Sequence, residues 1–171
     1  MVNIECFESD ELLALAKRDM EQGELEKALA KLKFLVSQSE QTSISAMTIL
    51  ARLYAQLGIY GRSREWYSKI VSEDPQSPVV RFELGMTHFD AGEHDVALSV
   101  WRELLDMQPD FPPALYYTAL SLANGGDEEE ASLALKRLFQ NTDQENLYYT
   151  RGQKLQQSMD ESAASVADTQ H

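Results

Sequence analysis

The chain has 171 residues, 43% of them hydrophobic and 9% aromatic, which is typical of one folded domain or one short array of repeats. Its 28 acidic and 15 basic side chains give a formal net charge of -13, which disfavours nucleic acid and membrane surfaces and favours basic partners. A single cysteine, Cys6, excludes an internal disulfide, and we see neither a signal peptide nor an apolar run long enough to span a membrane. We therefore predict an acidic cytoplasmic protein.

Glycine and small residues recur along the chain in a fixed rhythm. Four glycines are separated by 35, 34 and 34 residues: Gly23, Gly58, Gly92 and Gly126. Five residues after each comes a small side chain, and four residues later a bulky apolar one. The small set is Ala28, Ser63, Ala97 and Ala131, and the bulky set is Leu32, Tyr67, Trp101 and Leu135. A period of this length predicts an array of structural repeats.

Each copy divides at its glycine into two apolar stripes of helical period, as Met47, Leu50 and Tyr54 show in the second. We predict a helix, a turn in which glycine takes a positive φ, and a second helix that approaches closely at the small residue. In chain order the prediction is an N-terminal extension at 1–8, four repeats at about 9–43, 44–77, 78–111 and 112–145, a capping helix at 146–159, and a disordered tail at 160–171.

Two local signals mark helix starts in the fourth repeat. Asp127 with Glu130 three residues later predicts an N-cap, and acidic residues in that first turn complement the helix dipole. Pro112 and Pro113 fit only the first turn of a helix, because proline lacks the amide proton that an interior position needs. Both signals agree with helices on either side of Gly126.

The third copy reads RFELGMTHFDAGEHDVALSVWRELLDMQP and resembles the tetratricopeptide repeat (TPR) in its Leu84-Gly85, Ala97, Trp101 and Pro109. Arg81 and His88 stand where that pattern has aromatic residues. The resemblance covers about residues 9 to 145. It implies an all-α fold, a right-handed α-solenoid of helix-turn-helix repeats also called an α-α superhelix.

A competing interpretation takes His88, Asp90, Glu93, His94 and Asp95 as a metal or proton-transfer site. His88 falls on the first helix of its repeat and His94 in or after the turn, so the two do not share a helical face, and no third ligand is implied. The sequence also lacks a phosphate-binding glycine loop and a nucleophile motif. We predict no enzyme activity, no metal and no cofactor.

In TPR arrays the first helix of each repeat lines a concave groove, so the resemblance implies a surface that binds a peptide of a protein partner. The candidate groove residues are Leu13, Lys17, Met20, Thr48, Arg52, Ala55, Phe82, Met86, Phe89, Tyr116, Leu120 and Asn124. Such a groove suits apolar or aromatic anchors, with basic flanks attracted by the acidic surface. Several of these side chains could instead pack between helices.

Several kinds of interaction protein fit this prediction. TPR arrays that hold the acidic tails of heat-shock chaperones use a clamp of cations, but here Phe82, Met86 and Phe89 occupy the third-repeat positions, and Lys17 with Arg52 could hold only one carboxylate. The main hypothesis is an adaptor, scaffold or chaperone-like peptide-binding module. The alternative is a structural or self-associating scaffold subunit, including a homo-oligomer or a role like that of the type III secretion translocator chaperones.

Overall fold

The computed structural model describes the backbone of residues 7–38 and 43–168, with side chains to residue 164. This part of the chain is all-α, with nine helices and no strand. The helices are α1 (Ser9–Glu21), α2 (Leu25–Gln38), α3 (Ile44–Gln56), α4 (Tyr60–Glu73), α5 (Pro78–Asp90), α6 (His94–Met107), α7 (Pro112–Gly125), α8 (Glu128–Asn141) and α9 (Leu147–Asp168). Each of the four repeat ranges therefore holds two helices.

The helices form two compact units, residues 1–93 and residues 94–171. In the first unit each helix from α1 to α5 packs against the next, and α3 also contacts both α1 and α5. In the second unit α6, α7, α8 and α9 pack in the same sequential manner, and α7 also contacts α9. Since short connections join successive helices within each unit, those neighbouring helices run antiparallel.

Glycine ends the first helix of each repeat, as the sequence predicts. All four turn glycines have φ between 72° and 85°. After α3, Gly58 has φ 72°, and its amide donates to the carbonyl of Ala55 at 2.9 Å while the amide of Ile59 donates to the carbonyl of Tyr54 at 2.8 Å. A side chain at this φ would be strained. Glycine therefore allows the chain to reverse within three residues.

The small and bulky positions of the repeat form the cores of the two units. All four small residues and all four bulky ones are fully buried. Within each unit, a small side chain lets neighbouring helices approach closely, and the bulky residue one turn later fills space in the core. Burial of this kind, about 25 cal/mol for each Å² of apolar surface, is the main force that holds the helices together.

Ser63 is the one small residue of the repeat that is polar, and it lies in the core of the first unit. Its hydroxyl is 3.1 Å from that of Thr87 on α5. Thr87 donates its only hydroxyl proton to the carbonyl oxygen of Glu83 at 2.9 Å, so Ser63 is the donor in the pair. The α4–α5 contact thus includes a directional hydrogen bond.

The last helix, α9, packs on α7 and α8. Gly152 is buried in this contact, and a Cβ atom placed there would lie 2.9 Å from Cδ2 of Leu138 and 3.0 Å from Cε1 of Phe139. Met159 is also buried, while Tyr148 and Leu155 are half-buried. The apolar stripe predicted for this helix thus faces its neighbours.

Where α9 ends differs from the prediction. The sequence predicts a capping helix that stops at residue 159 before a disordered tail, but α9 continues to Asp168. Apolar spacing stops near Met159, yet alanine and serine still form helix, and Gln156 and Gln157 donate to Asp160 and Glu161 four residues on, each at 2.9 Å. The rest of the predicted tail, residues 169–171, lies outside the described residues, as do residues 1–6 of the predicted extension.

The helix starts in the fourth repeat agree with the sequence. The Asp127 side chain accepts a hydrogen bond from the amide of Glu130 at 3.2 Å, which confirms the N-cap. Pro112 is the first residue of α7. Within the described residues, no helix is both long enough and apolar enough to cross a membrane.

Candidate peptide-binding surface

The twelve candidate groove residues all lie on the first helices of the repeats, and none is buried. Lys17, Arg52 and Asn124 are exposed, and the other nine are half-buried. Nine of the twelve belong to α1, α3 and α5 of the first unit, and three to α7 of the second. Their exposure leaves them accessible to a partner, while contact with a ligand stays a prediction.

In the first unit, the candidate face is formed by three helices in succession, because α3 contacts both α1 and α5. Leu13 and Met20 on α1 pack against the core cluster built around Leu12, Leu32 and Leu50. On α5, Phe82, Met86 and Phe89 are spaced by four and three residues and so share one side of the helix. This α5 stripe supplies the large apolar side chains of the face.

Arg52 on α3 is held by an ion pair with α5. Its Nη2 atom lies 2.6 Å from Oε1 of Glu83, and the hydroxyl of Tyr67 donates to Oε2 of Glu83 at 3.5 Å. Burial alone would lower the pKa of Arg52, but the Glu83 carboxylate outweighs it and raises the pKa. The suggestion that Arg52 and Lys17 could jointly hold a partner's carboxylate is therefore weakened, since Glu83 already neutralises Arg52.

Two carboxylates on α5 were absent from the sequence-based candidates. Glu83 and Asp90 are seven residues apart and thus on one side of the helix, adjacent to Met86. Burial, and then the negative charge of Glu83, raise the pKa of Asp90. Their seven-residue spacing is a signal in the sequence that places both carboxylates on the same side of the helix as Met86. Asp90 thus places an exposed carboxylate beside the apolar stripe, whereas Glu83 is paired with Arg52.

In the second unit, Tyr116 belongs to a group of aromatic rings. Its ring centroid is 5.1 Å from that of Tyr117, edge to face, and 5.9 Å from that of Tyr148 on α9. Tyr117 in turn lies 5.8 Å from the fully buried Trp101. Burial, followed by the charge of Tyr117, raises the pKa of Tyr116. One part of the Tyr116 ring therefore packs α7 against α9, and the rest of the side chain is exposed to solvent.

The histidine segment forms an ion-pair cluster in the first unit. Nδ1 of His88 is 2.6 Å from Oε2 of Glu93, and Nη1 of Arg64 donates to both oxygens of the same carboxylate. Hydrogen bonds from Arg64 and then His88 lower the pKa of Glu93. In the described ranges, no group of three or more His, Cys, Asp or Glu side chains is placed to hold a metal.

Paired helices, glycine turns and small buried contact residues define an α-helical repeat protein. A family model described as Tetratricopeptide repeat matches residues 13–78 and 82–145, well over half of the chain. The chain belongs to the tetratricopeptide repeat family, whose members generally act as protein-interaction modules.

Solved structures share this fold. A crystal structure of MamA is 22% identical, with a TM-score of 0.70 over 78% of this chain and 77% of that one. MamA of AMB-1 is 22% identical, with a TM-score of 0.65 over 80% and 74% of the two chains. TTC0263, a thermophilic TPR protein in Thermus thermophilus, is 20% identical, with a TM-score of 0.64 over 80% and 75%. No curated protein gives a significant match. At these identities the likeness establishes the fold alone.

Proposed function

We propose that this chain is a non-enzymatic cytoplasmic adaptor or scaffold that binds an apolar-anchored peptide segment of a protein partner on the first-helix face. The observation that carries the proposal is the α5 stripe of Phe82, Met86 and Phe89, half-buried and flanked by Glu83 and Asp90. Aromatic and methionine side chains are adaptable anchors, and a few such residues dominate the affinity of an interface.

The same stripe defines the chemistry of the partner. An extended or helical segment would place apolar side chains against the α5 stripe. Lysine or arginine beside those anchors would meet Asp90 at the end of α5, whereas Glu83 is already paired with Arg52. The net charge of -13 increases the encounter rate with such a basic segment.

The test is affinity capture from a lysate with the whole chain as bait, compared with the double variant Phe82→Ala, Phe89→Ala. We expect the genuine partner to be lost, because each truncation removes about 1–4 kcal/mol of anchor contact. The matched control is Val96→Ala, which removes an exposed apolar side chain from α6, a second helix of its repeat that carries none of the candidate groove residues. Equal recovery of every captured protein by all three baits would refute the proposed surface.

Self-association as a scaffold subunit, including a role like that of the translocator chaperones, predicts a different result. In that case light scattering would show a mass that rises with protein concentration, and the Phe82→Ala, Phe89→Ala variant would reduce it. A mass independent of concentration, together with a partner that raises the melting temperature of the chain, supports the adaptor.

A further inference from the structure

The two compact units each contain a surface cavity at the same place in the repeat. In the first unit a cavity of about 450 Å³ lies between α2, α3 and α4, and its lining includes Lys33, Leu50, Tyr54, Ile59, Arg62 and Trp66. In the second unit a cavity of about 350 Å³ lies between α6, α7 and α8, and its lining includes Arg102, Thr118, Leu122, Glu130, Leu133 and Ala134. Both volumes fall in the range of about 300–1,000 Å³ that is usual for ligand pockets.

These cavities correspond residue by residue, two repeat periods apart. Each pair of equivalent positions is separated by 68 or 69 residues in the sequence, and the pairs are Lys33 with Arg102, Leu50 with Thr118, Tyr54 with Leu122, Arg62 with Glu130, and Trp66 with Ala134. Equivalent positions of the repeat therefore line both cavities, and at these five pairs the side chains differ.

The first difference is in charge. In the second unit Nη2 of Arg102 is 2.8 Å from Oε2 of Glu130, so an ion pair joins α6 to α8 at the cavity. In the first unit both equivalent positions carry cations, Lys33 and Arg62. Among the described residues Lys33 has no ion pair, and Arg62 is paired with Glu65 of its own helix, where both side chains are 63% exposed. Such an exposed pair is weak and exchanges readily for another carboxylate.

The second difference is in the aromatic content. Tyr54 and Trp66 line the first-unit cavity where the second has leucine and alanine, and both are half-buried. Trp66 packs against both core clusters of the unit, and Nζ of Lys69 lies 5.6 Å from its ring centroid. The ring is thus held in place by the core while one part stays accessible. A fixed aromatic surface of this kind binds an apolar side chain at little entropic cost.

We propose that the first-unit cavity is a second binding site, distinct from the first-helix face, that takes an apolar or aromatic side chain of an acidic peptide segment from a partner protein. Tyr54 and Trp66 contact the apolar side chain, and a neighbouring carboxylate of the peptide bridges Lys33 and Arg62. The partner's carboxylate thus takes the role that the Glu130 carboxylate has in the second unit, where it pairs with Arg102. This cavity therefore favours an acidic peptide, whereas the α5 stripe favours a peptide with basic flanks.

Helix geometry places this cavity and the predicted groove on different sides of α3. The cavity residue Leu50 is two positions from both Thr48 and Arg52, which corresponds to a rotation of about 200° around the helix. Substitutions in the cavity therefore leave the groove face intact. The failure of one site in an experiment does not imply the failure of the other.

Titrations of the full chain, labelled with ¹⁵N, with three synthetic peptides test the proposal. The peptides have the sequences EEFEE, KKFKK and EEAEE with blocked ends. The indole N–H signal of Trp66 reports the cavity, and that of the fully buried Trp101, the other tryptophan of the chain, is the internal reference. We expect a saturable shift of the Trp66 signal with EEFEE, and binding weaker by roughly tenfold or more for KKFKK and EEAEE.

The charge of the cavity is tested with Arg62→Glu, which gives the first unit the charge arrangement of the second and offers Lys33 an internal partner. We expect EEFEE to bind roughly tenfold more weakly or worse. Lys136→Glu is the matched control, because it makes the same change in net charge at an exposed position of α8 and should leave binding unchanged.

Three results would overturn the proposal: no saturable Trp66 shift with EEFEE, equal binding of KKFKK, or an Arg62→Glu variant that binds EEFEE as well as the unmodified chain. A fourth would assign the cavity to a second copy of this chain instead. In that case the Trp66 signal would move with protein concentration in the absence of peptide, and Arg62→Glu would abolish that movement.

Discussion

Replacing Gly152 by leucine should loosen the contact between α9 and α8. A Cβ atom at this position would lie 2.9 Å from Cδ2 of Leu138, 3.0 Å from Cε1 of Phe139 and 3.3 Å from Cδ2 of Leu135. Favourable carbon contacts lie at about 3.5–4.0 Å, and both leucines are fully buried, so they have little room to move. A leucine side chain adds three further carbons in the same place.

Two opposing terms set the magnitude of this effect. Leucine has a higher helix propensity than glycine, which favours the variant by about 0.8 kcal/mol. Forcing extra methylene groups into a packed contact costs about 1–3 kcal/mol. Because the contacts at 2.9 and 3.3 Å are to fully buried leucines, the cost lies in the upper part of that range, about 2–3 kcal/mol. We expect a net loss of about 1–2 kcal/mol in the free energy of unfolding, which for a chain of this length lowers the melting temperature by roughly 2–8 °C.

Urea denaturation followed by circular dichroism measures this loss, and hydrogen exchange of the α9 amides shows whether that helix opens first. Gly61→Leu is the matched control, since it makes the same change in the first turn of α4, where a Cβ atom would meet nothing within 4 Å. We expect that control to be neutral or stabilising. If Gly152→Leu unfolds at the same urea concentration as the unmodified chain, the packing argument for α9 is wrong.

Two further predictions concern ion pairs of the first unit. Asp19→Ala should lower the free energy of unfolding by about 3 kcal/mol, because it leaves the Lys31 ammonium, only 13% exposed, without its partner. Adding Lys31→Met should recover most of this loss, and equal urea midpoints for the single and double variants would contradict the prediction. Hydrogen bonds from Arg64 and His88 hold the pKa of Glu93 below its ordinary value of 4.5. The stability that these hydrogen bonds provide is therefore fully present above pH 4.5 and is lost as the pH falls through the lowered pKa. The urea midpoint of the unmodified chain should therefore fall more than that of Glu93→Gln between about pH 6 and about pH 3, and parallel profiles would contradict the assignment.

The repeat predicted most of the helical architecture, because it is a one-dimensional pattern with a direct structural meaning. A glycine every 34 or 35 residues marked the turns, and the small residue five positions later marked the helix contacts, so the burial of Ala97 and Trp101 followed from spacing alone. The end of α9 was not predictable in this way. Helix formation past Met159 rests on the helix propensity of the residues and on side-chain pairs such as Gln156 with Asp160. Neither produces a periodic pattern of apolar residues in the sequence.

The sequence register predicts which helix carries each groove candidate, but not the charges that meet it in the fold. The register placed Arg52 on the first-helix face, but its ion pair joins residues 31 positions apart, and only the structure brings Glu83 to it. The cavity with Lys33 and Arg62 has a similar origin, because its walls come from three helices of two repeats. Charges that meet through tertiary packing have no signature in a single sequence.

The hydrogen bond from Ser63 to Thr87 has a consequence for the orientation of α5. Alanine, which the other three repeats use at this position, permits a helix to turn slightly about its long axis, since methyl contacts have no preferred direction. A hydroxyl pair at 3.1 Å tolerates only a narrow range of angles. At a radius of about 5 Å, a turn of about 10° would move a side chain by about 1 Å. The hydrogen bond between Ser63 and Thr87 thereby restricts the rotation of α5, and with it the direction in which Phe82, Met86 and Phe89 point.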